Sequence, residues 1–198
     1  MRSSKPNPAK AQPRNPAHEQ YLLQVEDRPD DVLFFSIAAE TAAFTNPIRV
    51  ARDGRAAIEL LAAAISKIHR DPLALPRLVL LDLNLPSISG INVLRWIRLQ
   101  PALRALPVLI LSTSDHPDDL CQAHDLGATS YVTKPANFFD LLAFANQLKL
   151  WLINKGPLPA STLWRKNTEK SRPSAPFVAP QQHKLRGAVT SRGCSQHT

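Results

Sequence analysis

Between residues 19 and 154 the chain alternates short apolar runs with longer amphipathic stretches. The runs Tyr21–Val25, Ile48–Ala51, Leu78–Leu81, Val108–Leu111 and Thr129–Val132 are of strand length and rich in Val, Ile and Leu. Stretches of helix length follow them: Asp30–Phe44, Arg55–Ile68, Ile91–Leu99, Pro117–Leu126 and Phe138–Ile153. Two open on Pro29-Asp30-Asp31 and Pro117-Asp118-Asp119, where acids face the positive end of the helix dipole. Five strands alternating with five helices predict an α/β fold, a doubly wound parallel sheet with helices on both faces. In such sheets ligands bind outside the carboxyl ends of the strands.

The last helix carries more apolar residues than one buried stripe needs. Phe138, Leu141, Ala145, Leu148 and Leu152 form one arc, predicted to cover the sheet. Phe139, Ala143 and Leu150 fall on a second arc, and Phe144 and Trp151 on neither. The surplus predicts an exposed apolar patch that serves as a partner surface.

Three strand ends carry charge. Glu26 and Asp27 follow the first run, Asp82 follows Leu78–Leu81, and Lys134 follows the fifth. Taken singly, each has a plain reading: a turn or cap aspartate, a solvated loop pair, a surface lysine. If the runs are neighbouring parallel strands, however, three carboxylates and an ammonium share one pocket. Their mutual repulsion is costly unless a hard divalent cation and the lysine compensate it. Such a pocket suits the carriage of a phosphoryl group on Asp82. His69, His116 and His124 show no metal-ligand spacing with Cys or acids, and Cys121 reads as a packing residue on its helix.

Composition sharpens the boundaries. The net charge of +8 is unevenly spread. Residues 1–18 hold four basic and no acidic side chains, residues 155–198 eight basic against one acidic, and residues 19–154 twelve basic against fifteen acidic. The middle is therefore a mildly acidic domain. Residues 1–18 and 155–198 read as basic disordered tails, since Pro, Ser, Asn, Gln, Lys and Arg without an apolar period cannot offset the entropy of ordering. Two cysteines, Cys121 and Cys194, make no disulfide framework, which agrees with a reducing cytosol. The start MRSSKPNPAK has no apolar leader segment, and no run approaches a membrane span. A cytoplasmic protein with no membrane association is expected.

With VEDRPDD, Asp53-Gly54, LLDLNLP, LPVLILSTS and LGATSYVTKP in register, the chain resembles the receiver domains of two-component response regulators over residues 19–154. The wording is nearest to the stand-alone regulators of bacterial phytochrome-type histidine kinases. The resemblance implies a flavodoxin-like sheet of order 2-1-3-4-5, and Mg²⁺ as cofactor. It makes Asp82 the phosphoacceptor, with Glu26, Asp27, Asp82 and the backbone carbonyl of Asn84 around the metal, Glu26 through water. Lys134 would pair with Asp82 and then with its phosphoryl oxygens. Ser112 and Tyr131 would be the switch pair, the hydroxyl swinging to the phosphoryl group and the aromatic ring moving inward. Pro135 matches a position that favours a cis peptide. Arg28 departs from the pattern, where Asn is expected, and could contact the phosphoryl group.

The function this implies is a phosphoacceptor switch, not a turnover enzyme. It would be phosphorylated by a sensor histidine kinase and signal through altered protein binding, with pairing into a homodimer through the last helix. Two alternatives stand beside it. A haloacid-dehalogenase-type phosphatase also uses an aspartate after an apolar strand, but wants a second Asp two residues on, where this chain has Asn84. A basic tail acting on nucleic acid has the charge for it, yet residues 155–198 lack the apolar pattern of a helix-turn-helix.

Overall fold

The computed structural model of the chain describes residues 21–71, 74–154, 158–161, 164 and 165. Five strands, β1 (Leu22–Val25), β2 (Ile48–Ala51), β3 (Leu78–Leu81), β4 (Val108–Ser112) and β5 (Ser130–Thr133), alternate with five helices. These are α1 (Pro29–Thr41), α2 (Gly54–Lys67), α3 (Gly90–Leu99), α4 (Pro117–Asp125) and α5 (Phe138–Asn154). The strands pair in parallel in the order β2-β1-β3-β4-β5, the order that the resemblance implied.

Side chains alternate between the faces of a strand, so a sheet covered on both sides needs continuous apolar strands. Leu23, Val25, Val79, Leu81, Val108 and Ile110 enter one core with Ala57, Leu61, Val93, Leu94 and Ile97 of α2 and α3. Leu22, Leu78, Leu80, Leu109 and Leu111 enter the other with Phe35 of α1 and Phe144 and Leu148 of α5. Helix starts follow the local chemistry. Asp53 caps α2 by accepting from the Ala56 N–H at 2.8 Å, and α1 begins with proline and two acids.

The α5 stripe differs from the expected arc. Phe144, Ala145, Leu148 and Leu152 are buried, whereas Phe138 is 38% exposed. The reason is α1: Phe144 packs against Phe35, ring centroids 6.2 Å apart, which turns the buried face of α5 toward that helix. Phe139 is 81% exposed, as the second arc predicts.

The packed chain also runs past residue 154. Trp164 is 4% exposed and joins the core of β1, β3 and β4. Its ring stacks on Tyr131 at 6.2 Å and meets His124 edge-on at 5.5 Å. The Ser161 N–H donates to the Tyr131 carbonyl at 2.8 Å, and the Ser130 hydroxyl donates to the Pro159 carbonyl. A strap formed by residues 158–161, 164 and 165 thus lies on β5, within a segment that composition marks as disordered. The rest of the two expected tails lies outside the described residues.

Candidate functional site

Strand register brings the acids together. Val25 sits opposite Leu81, so the residues that follow each strand meet at one end of the sheet. The Asp82 N–H donates to the Val25 carbonyl at 3.1 Å and the Glu26 N–H to the Ala51 carbonyl at 2.9 Å. Glu26 and Asp82 are buried, and one carboxylate oxygen from each of Glu26, Asp27 and Asp82 lies within 4.8 Å of the others. Hard oxygen ligands that close suit a hard divalent cation. The backbone beneath Asp82 is pinned by Gly90 at the start of α3. A Cβ there would collide with the Asp82 carbonyl oxygen, so glycine lets the helix approach this closely.

Lys134 reaches the acids from β5, two strands beyond β3 in the sheet order. Its N–H donates to the Ser112 carbonyl at 2.8 Å, which fixes the backbone. Its Nζ lies 2.6 Å from Glu26 Oε2, 2.6 Å from Asp82 Oδ2 and 2.8 Å from Asp31 Oδ2. Burial alone would lower the affinity of this amine for its proton. The carboxylates of Asp31, Asp82 and Glu26 outweigh that and hold it above the ordinary lysine range. Glu26 shifts up as well, because burial penalises its charge more than Lys134 relieves it. The ammonium is therefore firmly charged, and the buried carboxylate bears the unfavourable part of the arrangement.

The remaining predicted residues surround this core. The Asn84 N–H donates to Asp82 Oδ1 at 3.0 Å, and its side chain reaches Thr113 Oγ1 at 3.4 Å. Ser112 is fully buried at the end of β4, with its hydroxyl accepting from the Ser114 N–H at 3.3 Å. Tyr131 is fully buried too, donating to the Ser114 carbonyl at 2.8 Å, and burial raises its pKa. Its ring lies inside the fold, stacked on Trp164. The side chain of Arg28 is 61% exposed and 3.9 Å from Asp31. Its backbone N–H donates to Glu26 Oε1 at 3.2 Å.

Pro135 corrects one expectation. No cis peptide bond occurs among the described residues, so the Lys134–Pro135 bond is trans. Trans is the form an X–Pro amide ordinarily prefers, and Nζ reaches all three carboxylates from it.

Two residues at the site escaped the sequence reading. Asp31 reads as one of two acids at a helix start, and only its spacing of four from Asp27 hints that it points back to the pocket. Trp164 stands in LPASTLW, a small apolar island in a basic, polar stretch, and that island is the signal that could have found the strap.

This fold and this pocket define a receiver. The family model for the response regulator receiver domain matches residues 22–146, and the chain belongs to that family. Membership displaces the haloacid-dehalogenase alternative. The chain is 39% identical over 142 residues to the probable methanogenesis regulatory protein FilR2 of Methanothrix harundinacea, covering 70% of this chain and 88% of that protein. It is 32% identical over 140 residues to response regulator Rcp1 of Synechocystis sp., covering 71% and 93%. The Mn²⁺-bound crystal structure of Rcp1 matches with a TM-score of 0.59 at 31% identity, over 71% of this chain and 99% of that one. The phosphorylated cyanobacterial phytochrome response regulator RcpA matches with a TM-score of 0.57 at 29% identity, over 72% and 99%. Among the described residues no helix is long and apolar enough to cross a membrane.

Proposed function

We propose that this chain is a cytoplasmic phosphoacceptor switch in which Asp82 takes a phosphoryl group from a sensor histidine kinase, in the presence of Mg²⁺. The observation that carries this reading is the placement of Lys134 Nζ 2.6 Å from Asp82 Oδ2, beside three carboxylates with oxygens within 4.8 Å. Glu26, Asp27, Asp82 and the carbonyl of Asn84 would hold the metal, Glu26 through water. Held there, such an ion would supply positive charge to offset that of the transferring group. An Asp82 oxygen forms the new O–P bond as the P–N bond of the phosphohistidine breaks, and the imidazole leaves with the electron pair. Asp82 is a weak nucleophile, so the chain's share of the work is positioning: the Asn84 N–H orients one oxygen and Lys134 the other. In the phosphorylated state Lys134 and the Ser112 hydroxyl pair with phosphoryl oxygens, and Tyr131 passes the change to α4, β5 and α5.

The output is altered protein binding rather than turnover of a substrate. The kinase is of phytochrome type, by the likeness to RcpA. A second copy of the chain is the partner that fits the exposed apolar residues of α5, namely Phe139, Leu150 and Ile153, which are 81%, 57% and 65% exposed. Incubation with a small phosphodonor and Mg²⁺ tests the acceptor: wild type gains one phosphoryl group by intact mass, and Asp82→Asn gains none. Undiminished labelling of that variant would place the acceptor elsewhere. Phe139→Glu with Leu150→Glu gives a folded monomer by light scattering, and a wild type that is monomeric with and without phosphodonor would reject the pairing.

A further inference from the structure

We propose that Asp31 is a positioning residue that holds the Lys134 ammonium where the phosphoryl oxygens arrive, a role that rests on Asp82 being the phosphoacceptor. An ammonium has three N–H donors. Here they are shared among three carboxylates, those of Glu26, Asp82 and Asp31, at 2.6, 2.6 and 2.8 Å. Glu26 and Asp82 belong to the cluster whose oxygens lie within 4.8 Å of one another, and Asp31 does not. Two of the three acceptors are therefore the ones a divalent cation draws toward itself. The same cation repels the ammonium across a few ångströms. Asp31 is the acceptor that stays with Lys134 when the other two are engaged.

Its setting suits a fixed anchor. Asp31 lies in the first turn of α1, where a negative side chain complements the helix dipole, and its side chain is 25% exposed. The helix packs on the sheet through Phe35 and on α5 through Ala38, so the carboxylate is carried on a rigid element. The Arg28 guanidinium, 3.9 Å away and well exposed, is too distant and too hydrated to displace Lys134.

The plain alternative is that Asp31 only complements the dipole of α1. Asp30, in the same turn, does that equally well, is exposed, and is not an acceptor of Lys134. The two acids therefore form an internal control.

The test is a double-mutant cycle on the full chain, read as the affinity for beryllium fluoride, a phosphoryl mimic, in saturating Mg²⁺ by calorimetry. Asp31→Asn lowers the affinity about tenfold, the size expected for one partly exposed charge-assisted hydrogen bond. Asp30→Asn leaves it within twofold. In a Lys134→Ala background, Asp31→Asn has no further effect, because the residue acts through the ammonium. Asp31→Ala repeats the loss and guards against an artefact of the amide. Equal losses for Asp30→Asn and Asp31→Asn, or equal losses with and without Lys134, would overturn the positioning role and leave the phosphoacceptor reading intact. A wild type that takes up no beryllium fluoride would instead remove that reading, and this one with it.

Discussion

The pocket around Asp82 and the strap over Tyr131 are held by contrasting forces. In the pocket, four acids and one ammonium gather, and burial penalises the charges on Glu26 and Lys134. Such a group is poor evidence for stability, since desolvation offsets much of the attraction. In the strap, Trp164 buries an aromatic face against Tyr131 and His124, and neutral hydrogen bonds fix Ser161 and Pro159. The strap is held by a buried ring and neutral hydrogen bonds. The pocket spends stability to keep a responsive charge balance. Tyr131 touches both, its hydroxyl on the loop beyond Ser112 and its ring under Trp164.

The strongest way to break the comparison is to remove the pocket's chemistry and leave its packing. Asp82→Asn should abolish phosphodonor labelling completely, while urea unfolding moves by less than about 1 kcal/mol because a buried like charge is relieved as a hydrogen bond to Lys134 weakens. A large loss of stability would mean that the pocket holds the fold together.

Next in size is Lys134→Ala. Removing the cation bonded to both Glu26 and Asp82 leaves buried acids uncompensated, at a cost of roughly 3 kcal/mol in chelator. Millimolar Mg²⁺ should restore most of that, since one counter-charge replaces another. Equal denaturation midpoints with and without Mg²⁺ would contradict the charge-balance account.

Trp164→Ala sharpens the other side. Loss of the buried ring should cost about 2–3 kcal/mol, below the usual range for a core aromatic because the short strap can give way locally. This loss should be the same in Mg²⁺ and in chelator. Metal rescue of Trp164→Ala would show that the two regions are not separately held.

The smallest effect is a pH slope. Burial raises Glu26 above its ordinary value of 4.5, so the folded chain holds this proton more tightly than the unfolded chain does. The associated stability is fully present below 4.5 and is lost as pH rises through the folded value. In chelator, wild type should therefore lose stability relative to Glu26→Gln as pH climbs from 4.5 toward neutrality. The Trp164→Ala variant should keep that slope unchanged, and an opposite sign would mean that Lys134 outweighs burial at Glu26.

What sequence makes visible is local. Each strand announces itself by a run of apolar residues, and the end of a parallel strand is where a site belongs, so the pattern places Glu26, Asp27, Asp82 and Lys134 together, while Ser112 follows only from the family resemblance. Asp31 could not be, because its acidity already had a sufficient explanation in the helix start. Its reach to Lys134 spans 103 residues of sequence. Phe144 was misplaced because the direction an α5 side chain faces depends on α1, which the α5 sequence does not contain. Trp164 was lost in the averaging: the polar and basic residues around it outweigh one indole in composition, which does not register a ring that stacks on Tyr131. The trans geometry at Pro135 shows the limit of carrying a family's pattern to a single bond.

The strap has one more consequence. β5 is the last strand of the sheet, and with nothing beside it its outward carbonyl and amide groups would be a template for another chain's strand. The Ser161 amide occupies the Tyr131 carbonyl, and Trp164 covers the neighbouring apolar surface. A fragment cut after residue 154, where amphipathic pattern alone would end the domain, would leave that border bare. Such a fragment would keep the acidic pocket and lose its protection against sticking to its own kind.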